Sequence, residues 1–345
     1  MNIAVIGATG YGGVELVRFL RHHPYVHSCS FYSSSQDGIH LSESFPHVGE
    51  LEGAVLRKID VEQMANEHEV VFFATPPGVS SSLAPALLDK GVKVIDLSGD
   101  FRLKDRSVYE MWYKRQTASD RYLQQAVYGL TEWNKEEIQH AQLLSNPGCY
   151  PTATLLGLAP LVKERLIEED SIIVDAKSGV SGAGRKASLH THFSEINENV
   201  KIYKVNSHQH IPEIEQMLKT WNERIQPITF STHLIPMTRG IMATIYAKVK
   251  KELTMEMLLD LYQTSYKDSK FVRIRKPGQF PSTKEVYGSN YCDIGVAYDE
   301  RTGRVTVVSV IDNLVKGAAG QALQNLNVMM GWEEESGLTL GPIYP

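Results

Sequence analysis

At 345 residues, 42% hydrophobic and 22% charged, the chain holds enough apolar material for a sizeable core and about two domains. Its net charge of −5 gives no general attraction to nucleic acid or anionic membranes, and no apolar run reaches the roughly 18 residues of a membrane span. Cys29, Cys149 and Cys292 are odd in number, widely spaced and without a CxxC pair, which argues against a disulfide framework and for a reducing cytoplasm.

The opening "MNIAVIG" runs straight into a strand and is expected to carry no signal peptide. The apolar run "NIAVI" (2–6) ends in "GATGYGG", after which Val14, Val17 and Leu20 recur every three residues until Pro24. This reads as strand, glycine-rich turn, helix. Gly7, Gly10 and Gly13 form a dinucleotide fingerprint in a variant spacing, GxxGxxG. Small residues let the backbone approach a pyrophosphate lying on the helix N-terminus, and Thr9, Tyr11 and Gly12 are expected to line the same cofactor site. A chance glycine turn is the alternative; a position between strand and helix is the context the motif requires. "VHSCSFYS" (26–33), "VVFFATPP" (70–77) and "KVIDLSG" (93–99) continue as strands with helical patterns between them, predicting an α/β fold with a doubly wound, Rossmann-type parallel sheet.

After the second strand, an NAD-specific fold places an acid on the ribose 2′-hydroxyl. Here stands "YSSSQDG", where Ser33, Ser34 and Ser35 offer neutral hydrogen bonds and no carboxylate to repel a 2′-phosphate. The expectation is NADP(H), with Asp37 leaving NAD open and a plain polar turn as the alternative.

"SNPGCYPTATLLGLAP" (145–160) puts Cys149 after a Pro-Gly turn, with Pro151 suited to the first turn of a helix and Leu155, Leu158 and Leu161 forming a core-facing stripe. A thiol at a helix N-terminus has its thiolate stabilised by the N–H groups and the macrodipole, lowering its pKa from about 8.5 into the range of about 3.5 to 7.5. A structural cysteine is the competing reading; Cys29 and Cys292 lie in strand patterns and read as core. A nucleophilic thiol needs an acid or base close by. In "HQHIPEIEQMLKTW", His210 precedes Pro212, the expected first turn of a helix, whose dipole favours the neutral imidazole that accepts a thiol proton. His208 is its rival for that role and otherwise a candidate for substrate binding. The pairs "HTH" (190–192) and "HQH" (208–210) lack the third ligand a metal needs, so no metal is expected.

"AKSGVSGAGRKAS" (176–188) is a second glycine- and serine-rich loop, whose N–H groups and Arg185 suit an anion or oxyanion. Arg239 in "PMTRGI" and Arg102 in "GDFRL" stand at strand ends, where each is either a solvated charge or a bidentate grip on phosphate or carboxylate. A thiolate beside a nicotinamide and anion-binding arginines suits interconversion of an acyl phosphate and an aldehyde. The thiolate displaces phosphate, and the resulting thioester, unlike a carboxylate, is electrophilic enough to accept hydride.

The segments "GATGYGG", "DLSGDFR", "YGLTE", "SNPGCYPTA", "SGVSGAGRKA", "FSEINENVKIYKVNSHQHIPEIEQ", "HLIPMTRGI" and "DNLVKGAAGQALQN", in this order through nearly the whole chain, resemble the N-acetyl-γ-glutamyl-phosphate reductase family of arginine biosynthesis. The resemblance implies Cys149 as nucleophile and a histidine of "HQH", here assigned as His210, as acid/base. It further implies NADP, a cytoplasmic homodimer or homotetramer, and a small-molecule substrate with an N-acetyl group and an α-carboxylate. Ser181, Gly182 and Asn313 are expected to bind the cofactor, and Arg102, Arg185, Arg239 and His208 stand as candidates for substrate or phosphate, with no substrate arginine carried over from the family. Relatives often carry a basic residue after the second strand, in a segment like "SRS", where this chain has "SSSQDG". The wider fold group, shared with aspartate-semialdehyde dehydrogenase, implies a nucleotide domain over 1–147 and an α+β catalytic and oligomerisation domain over 148–313. In this layout the final helix, within 314–345, returns to the nucleotide domain, with Gly317, Ala318, Gly320 and Ala322 on one face.

Overall fold

The computed structural model describes residues 1–48 and 54–345. Two compact units divide the chain: Met1–Pro147 with Ala318–Thr339, and Gly148–Gly317 with Leu340–Pro345.

In the first unit, β1 (Asn2–Ile6), β2 (Ser28–Tyr32), β3 (Leu56–Arg57), β4 (Val70–Phe73), β5 (Lys93–Asp96), β6 (Val127–Tyr128) and β7 (Leu143–Ser145) form one sheet. Its order is β3-β2-β1-β4-β5-β7-β6, paired in parallel throughout. Every residue of β4 is buried, as a parallel strand covered on both faces requires. The order runs outward in both directions from β1 and β4, so the ligand-binding switch point lies at the carboxyl ends of these two strands. The helix Gly320–Met329 packs on the helices Thr131–Gln139 and Tyr11–Leu20. It buries Gln321, Gln324, Asn325 and Asn327 completely, and the side-chain nitrogen of each finds an acceptor. Asn325 Nδ2 donates to the Gly129 carbonyl (2.8 Å) and to Asn146 Oδ1 (3.0 Å), fixing the segment that leaves β7.

The second unit holds a mixed sheet of β8 (Ile173–Gly179), β9 (Lys201–Tyr203), β10 (Thr229–Ile235), β11 (Ile241–Lys248), β12 (Val272–Ile274), β13 (Cys292–Asp299) and β14 (Arg304–Ile311). Their order is β12-β13-β14-β11-β8-β10-β9. Burial alternates along β8, β10 and β11, so one face is the packed one. The helix Cys149–Lys163 is buried from Tyr150 to Val162, on all sides and not along a single leucine stripe. Gly157 lets it lie on the sheet, since a Cβ there would stand 2.8 Å from Ile245 Cδ1. Pro160 has no N–H for the Leu156 carbonyl one turn back, and the Tyr266 hydroxyl donates to that carbonyl instead.

Within "NLVKGAAGQALQNLNVMMG", the π-helical turn Val315–Ala319 runs directly into the α-helix Gly320–Met329. Ala318–Thr339 groups with the first unit and Leu340–Pro345 with the second. Asp312 holds the start of this segment by accepting the N–H groups of Leu314 (2.8 Å) and Val315 (3.2 Å), and Ile343 N donates to the Tyr287 carbonyl (2.9 Å). No helix among the described residues is long and apolar enough to cross a membrane.

Candidate active site

The glycine loop of the first unit is built by steric need at two positions. Gly7 has φ +91°, and a Cβ there would lie 2.4 Å from the Ala74 carbonyl oxygen just beyond β4. At Gly13 a Cβ would fall 2.2 Å from the Gly7 carbonyl oxygen, so this glycine sets the helix onto the turn. Gly10 is the N-cap of Tyr11–Leu20 and brings no capping side chain, while Gly12 faces open space. Thr9 and Tyr11 stand half-buried in the same turn. Beside Gly7, the buried Thr75 hydroxyl has no hydrogen-bond partner. A close-approach glycine turn, a helix N-terminus without a side-chain cap and an orphaned hydroxyl together fit a dinucleotide phosphate. Ser33 and Ser34 follow β2, half-buried and exposed respectively, and Ser35 N donates to Ser33 Oγ (3.3 Å).

Arg102 sits in the same unit, almost fully buried, with Nε donating to the Asn146 carbonyl (2.8 Å) and Nη2 to the Leu97 carbonyl (3.0 Å). It therefore clamps the segments leaving β5 and β7, a task the sequence did not disclose. Asp100, two residues earlier, was also missed. Its buried carboxylate accepts from Gly78 N, Ser81 N, Ser80 Oγ and the Tyr109 hydroxyl, capping the helix Val79–Leu88. The signal was present in "GDFR", two positions from the arginine that drew attention.

In the second unit, Cys149 is the first residue of its helix and Gly148 the N-cap. Gly148 has no side chain to cap that first turn, so the thiol sits where the helix end favours an anion. Gly317, in the π-helical turn, presses on the cysteine: a Cβ there would stand 2.8 Å from Cys149 Cβ. His210 begins the helix His210–Trp221, and its ring lies against the residue before the thiol. A Cβ on Gly148 would be 2.5 Å from His210 Nε2.

His208 is engaged differently. Its Nδ1 accepts the His210 N–H at 3.1 Å, its ring lies 4.6 Å from that of His210, and it meets Tyr150 and Tyr203 edge to face. Burial, and then the Lys204 charge, push His208 down to about 3. The folded protein thus keeps His208 neutral where the unfolded chain protonates near 6.5. The resulting stability is present above about pH 6.5 and lost progressively as pH falls from there towards 3. Thermal melts between about pH 4 and 7.5 should accordingly show a shallower acid loss of Tm for His208→Asn than for the parent chain; parallel curves would refute this origin.

The glycine- and serine-rich loop and the Arg239 turn form one body. Gly179 N, Val180 N and Ser181 N donate to the carbonyls of Gly240, Met237 and Thr238. Asn313 bridges both, its Oδ1 accepting Gly240 N (2.7 Å) and its Nδ2 donating to Ser181 Oγ (2.9 Å). Half-buried Arg239 lies 3.6 Å from Asp312 and over the Tyr287 ring. Gly182 and Arg185 are exposed further along the loop; the structure brings Ser181, Arg239 and Asn313 together, with Gly182 beside them, where a Cβ would stand 3.7 Å from Asn313 Nδ2. His190 and His192 are exposed, and among the described residues no group of His, Cys, Asp or Glu is placed to hold a metal.

Residues 2–141 match the family described as "Semialdehyde dehydrogenase, NAD binding domain", and residues 149–313 match "Semialdehyde dehydrogenase, dimerisation domain". Over 345 residues, all of both chains, the sequence is 90% identical to an N-acetyl-gamma-glutamyl-phosphate reductase of Geobacillus sp. (strain WCH70). It is 60% identical to the protein of that name from Bacillus subtilis (strain 168), again over the full length of both. The fold is similar to aspartate semialdehyde dehydrogenase II of Vibrio cholerae, with a TM-score of 0.72 at 19% identity over 96% of this chain and 98% of that one. The chain belongs to the semialdehyde dehydrogenase family, among its N-acetyl-gamma-glutamyl-phosphate reductases.

Proposed function

We propose that this chain reduces N-acetyl-γ-glutamyl phosphate to N-acetyl-glutamate 5-semialdehyde, with NADPH as reductant and phosphate released, as a step of arginine biosynthesis in the cytoplasm. The observation that carries the reading is Cys149 at a buried helix N-terminus, with His210 Nε2 against the preceding glycine.

His210 takes the thiol proton, and the Cys149 sulfur bonds the acyl carbon as the carbon–oxygen bond to phosphate breaks. The chain then carries a thioester. Bound NADPH supplies the hydride that the thioester carbon accepts. His210 returns its proton as the carbon–sulfur bond breaks, releasing aldehyde and restoring the cysteine. The N–H groups at the start of the Cys149 helix would stabilise the charge that develops on the acyl oxygen.

Gly7, Thr9, Gly10, Tyr11, Gly12 and Gly13 would hold the pyrophosphate side of NADPH, Ser33 and Ser34 the 2′-phosphate, and Ser181, Gly182 and Asn313 the nicotinamide side. Arg239, Arg185 and His208 serve the substrate's phosphate and carboxylate. Arg102 is the fourth candidate, almost fully buried beside the segments that leave β5 and β7. A homodimer or homotetramer is supported by Leu189, Phe193, Val200, Ile202 and Val205, each 50% to 75% exposed, on and beside the edge strand β9 within the segment matching the dimerisation domain.

The test is phosphate-dependent oxidation of two aldehydes with NADP. N-acetyl-glutamate semialdehyde should exceed aspartate semialdehyde in kcat/KM by about 100-fold or more, since polar groups set for one substrate stay unpaired with the other. Preference for the aspartate compound, or turnover independent of phosphate, would overturn the reading. NADPH should beat NADH by about tenfold or more, and Ser34→Asp should erase most of that advantage by setting a carboxylate against the 2′-phosphate. An unchanged ratio would remove Ser34 from the cofactor site.

A further inference from the structure

Glu213 is completely buried in the first turn of the helix His210–Trp221. Burying a carboxylate is costly unless hydrogen bonds hold it, although a helix N-terminus is the favourable place for the charge. Its Oε1 accepts the Gly148 N–H at 2.8 Å. That donor is the backbone of the N-cap, one residue before the thiol and 65 positions away in sequence. On the same glycine lies the imidazole of His210, which leaves no room for a Cβ: Nε2, Cε1 and Cδ2 would stand 2.5, 2.8 and 2.9 Å from it. The helix that supplies the histidine therefore grips the cysteine turn twice, by a carboxylate on the nitrogen of Gly148 and by a ring on its Cα.

We propose that Glu213 is a positioning residue, whose carboxylate fastens the Gly148 N–H and so fixes the distance and angle between the Cys149 thiol and the His210 imidazole. The inference rests on Cys149 and His210 being the reacting pair. Thr152 N and Oγ1 both bond the Gly148 carbonyl, so the first turn of the cysteine helix is itself closed. What Glu213 adds is the attachment of that closed turn to the histidine helix.

Glu213→Ala and Glu213→Gln separate this role from charge and from bulk. Both variants are uncharged, and only the glutamine keeps an oxygen to accept the Gly148 N–H. Two rates are read in each: kcat for phosphate-dependent oxidation of the semialdehyde, and the rate of Cys149 alkylation by iodoacetamide, which needs no substrate or cofactor. KM for the aldehyde, NADPH binding and Tm are measured alongside. The alanine variant should lose about 30-fold in kcat, within the roughly 100-fold that a displacement of about 1 Å removes, with KM little changed. The glutamine variant should recover about tenfold of that loss, and its cysteine should alkylate correspondingly faster than that of the alanine variant.

Equal rates in the two variants overturn the proposal, whether both are fast or both slow, because the hydrogen bond is their difference. A lower Tm with both rates alike in the folded protein overturns it as well, leaving Glu213 a structural residue. If the alanine variant does not fold, Glu213→Met fills the same space without a comparable acceptor and takes its place. Full turnover in Cys149→Ser would sink the underlying reading instead, a failure that the Ala–Gln comparison of alkylation rates does not share.

Discussion

Cys149→Ser is expected to lower phosphate-dependent oxidation of the semialdehyde by about 10⁴-fold or more while NADPH binds as before. The expectation follows from two properties of the site. A serine hydroxyl is far less ionised at neutral pH than a thiol at a helix N-terminus, so the attack on the aldehyde or acyl carbon slows. An ester, in addition, accepts and releases hydride less readily than a thioester, so the step after attack slows too. The glycine loop lies in the other compact unit, and cofactor affinity, read by NADPH fluorescence titration, should stay within about threefold. The other two thiols cannot substitute. Burial pushes Cys29 up to about 12, and Cys292 is fully buried against the Ser309 hydroxyl at 3.4 Å. Turnover within about tenfold of the parent chain would remove Cys149 as nucleophile.

Where sequence reasoning succeeded, the cause was local. Gly7 and Gly13 are required by contacts at the strand–helix junction that carries them, and a glycine pattern between an apolar run and a helical period exposes such a requirement. Cys149 at a helix start was legible from the Pro-Gly turn before it and the proline after it. Where reasoning stopped short, the deciding contact was distant. Leu155, Leu158 and Leu161 predicted one buried face, but Ala153, Gly157 and Ala159 on the other sides are equally buried, because small residues admit neighbours as closely as leucines fill space. Gly317 looked like one member of a small-residue helix face; it lies instead in a π-helical turn against Cys149, 168 positions earlier in the chain. Glu213 passed for ordinary helix composition, since nothing near it in sequence reveals that its partner is the N–H of Gly148. His208 and His210, two residues apart before the same proline, could not be ranked by pattern. Contact with Gly148 sets them apart.

That contact gives the second large expectation. His210→Asn should reduce kcat by about 10² to 10³-fold with KM for the aldehyde changed little, the range lost when a positioned acid/base is removed. Asparagine keeps polarity and approximate size but carries no proton at neutral pH, so the cysteine must lose its proton to water. His208→Asn should act in another way. Its Nδ1 already accepts the His210 N–H, and its environment keeps it neutral down to about pH 3, so it neither releases a proton to the reaction nor meets Gly148. An asparagine oxygen can still accept that N–H, and the expected loss in kcat is about tenfold or less, from the imidazole of His210 settling less firmly. Activity at alkaline pH sharpens the distinction. As the solution itself deprotonates the thiol, the deficit of His210→Asn in the acylation half-reaction should shrink, because the missing base is then needed less. The deficit of His208→Asn should stay constant with pH, since it comes from geometry. Single-turnover acylation by the acyl phosphate, followed as phosphate release between about pH 6.5 and 9.5, reads both. If His208→Asn proves the more damaging of the two, or if its deficit is the one relieved by alkali, the acid/base passes from His210 to His208.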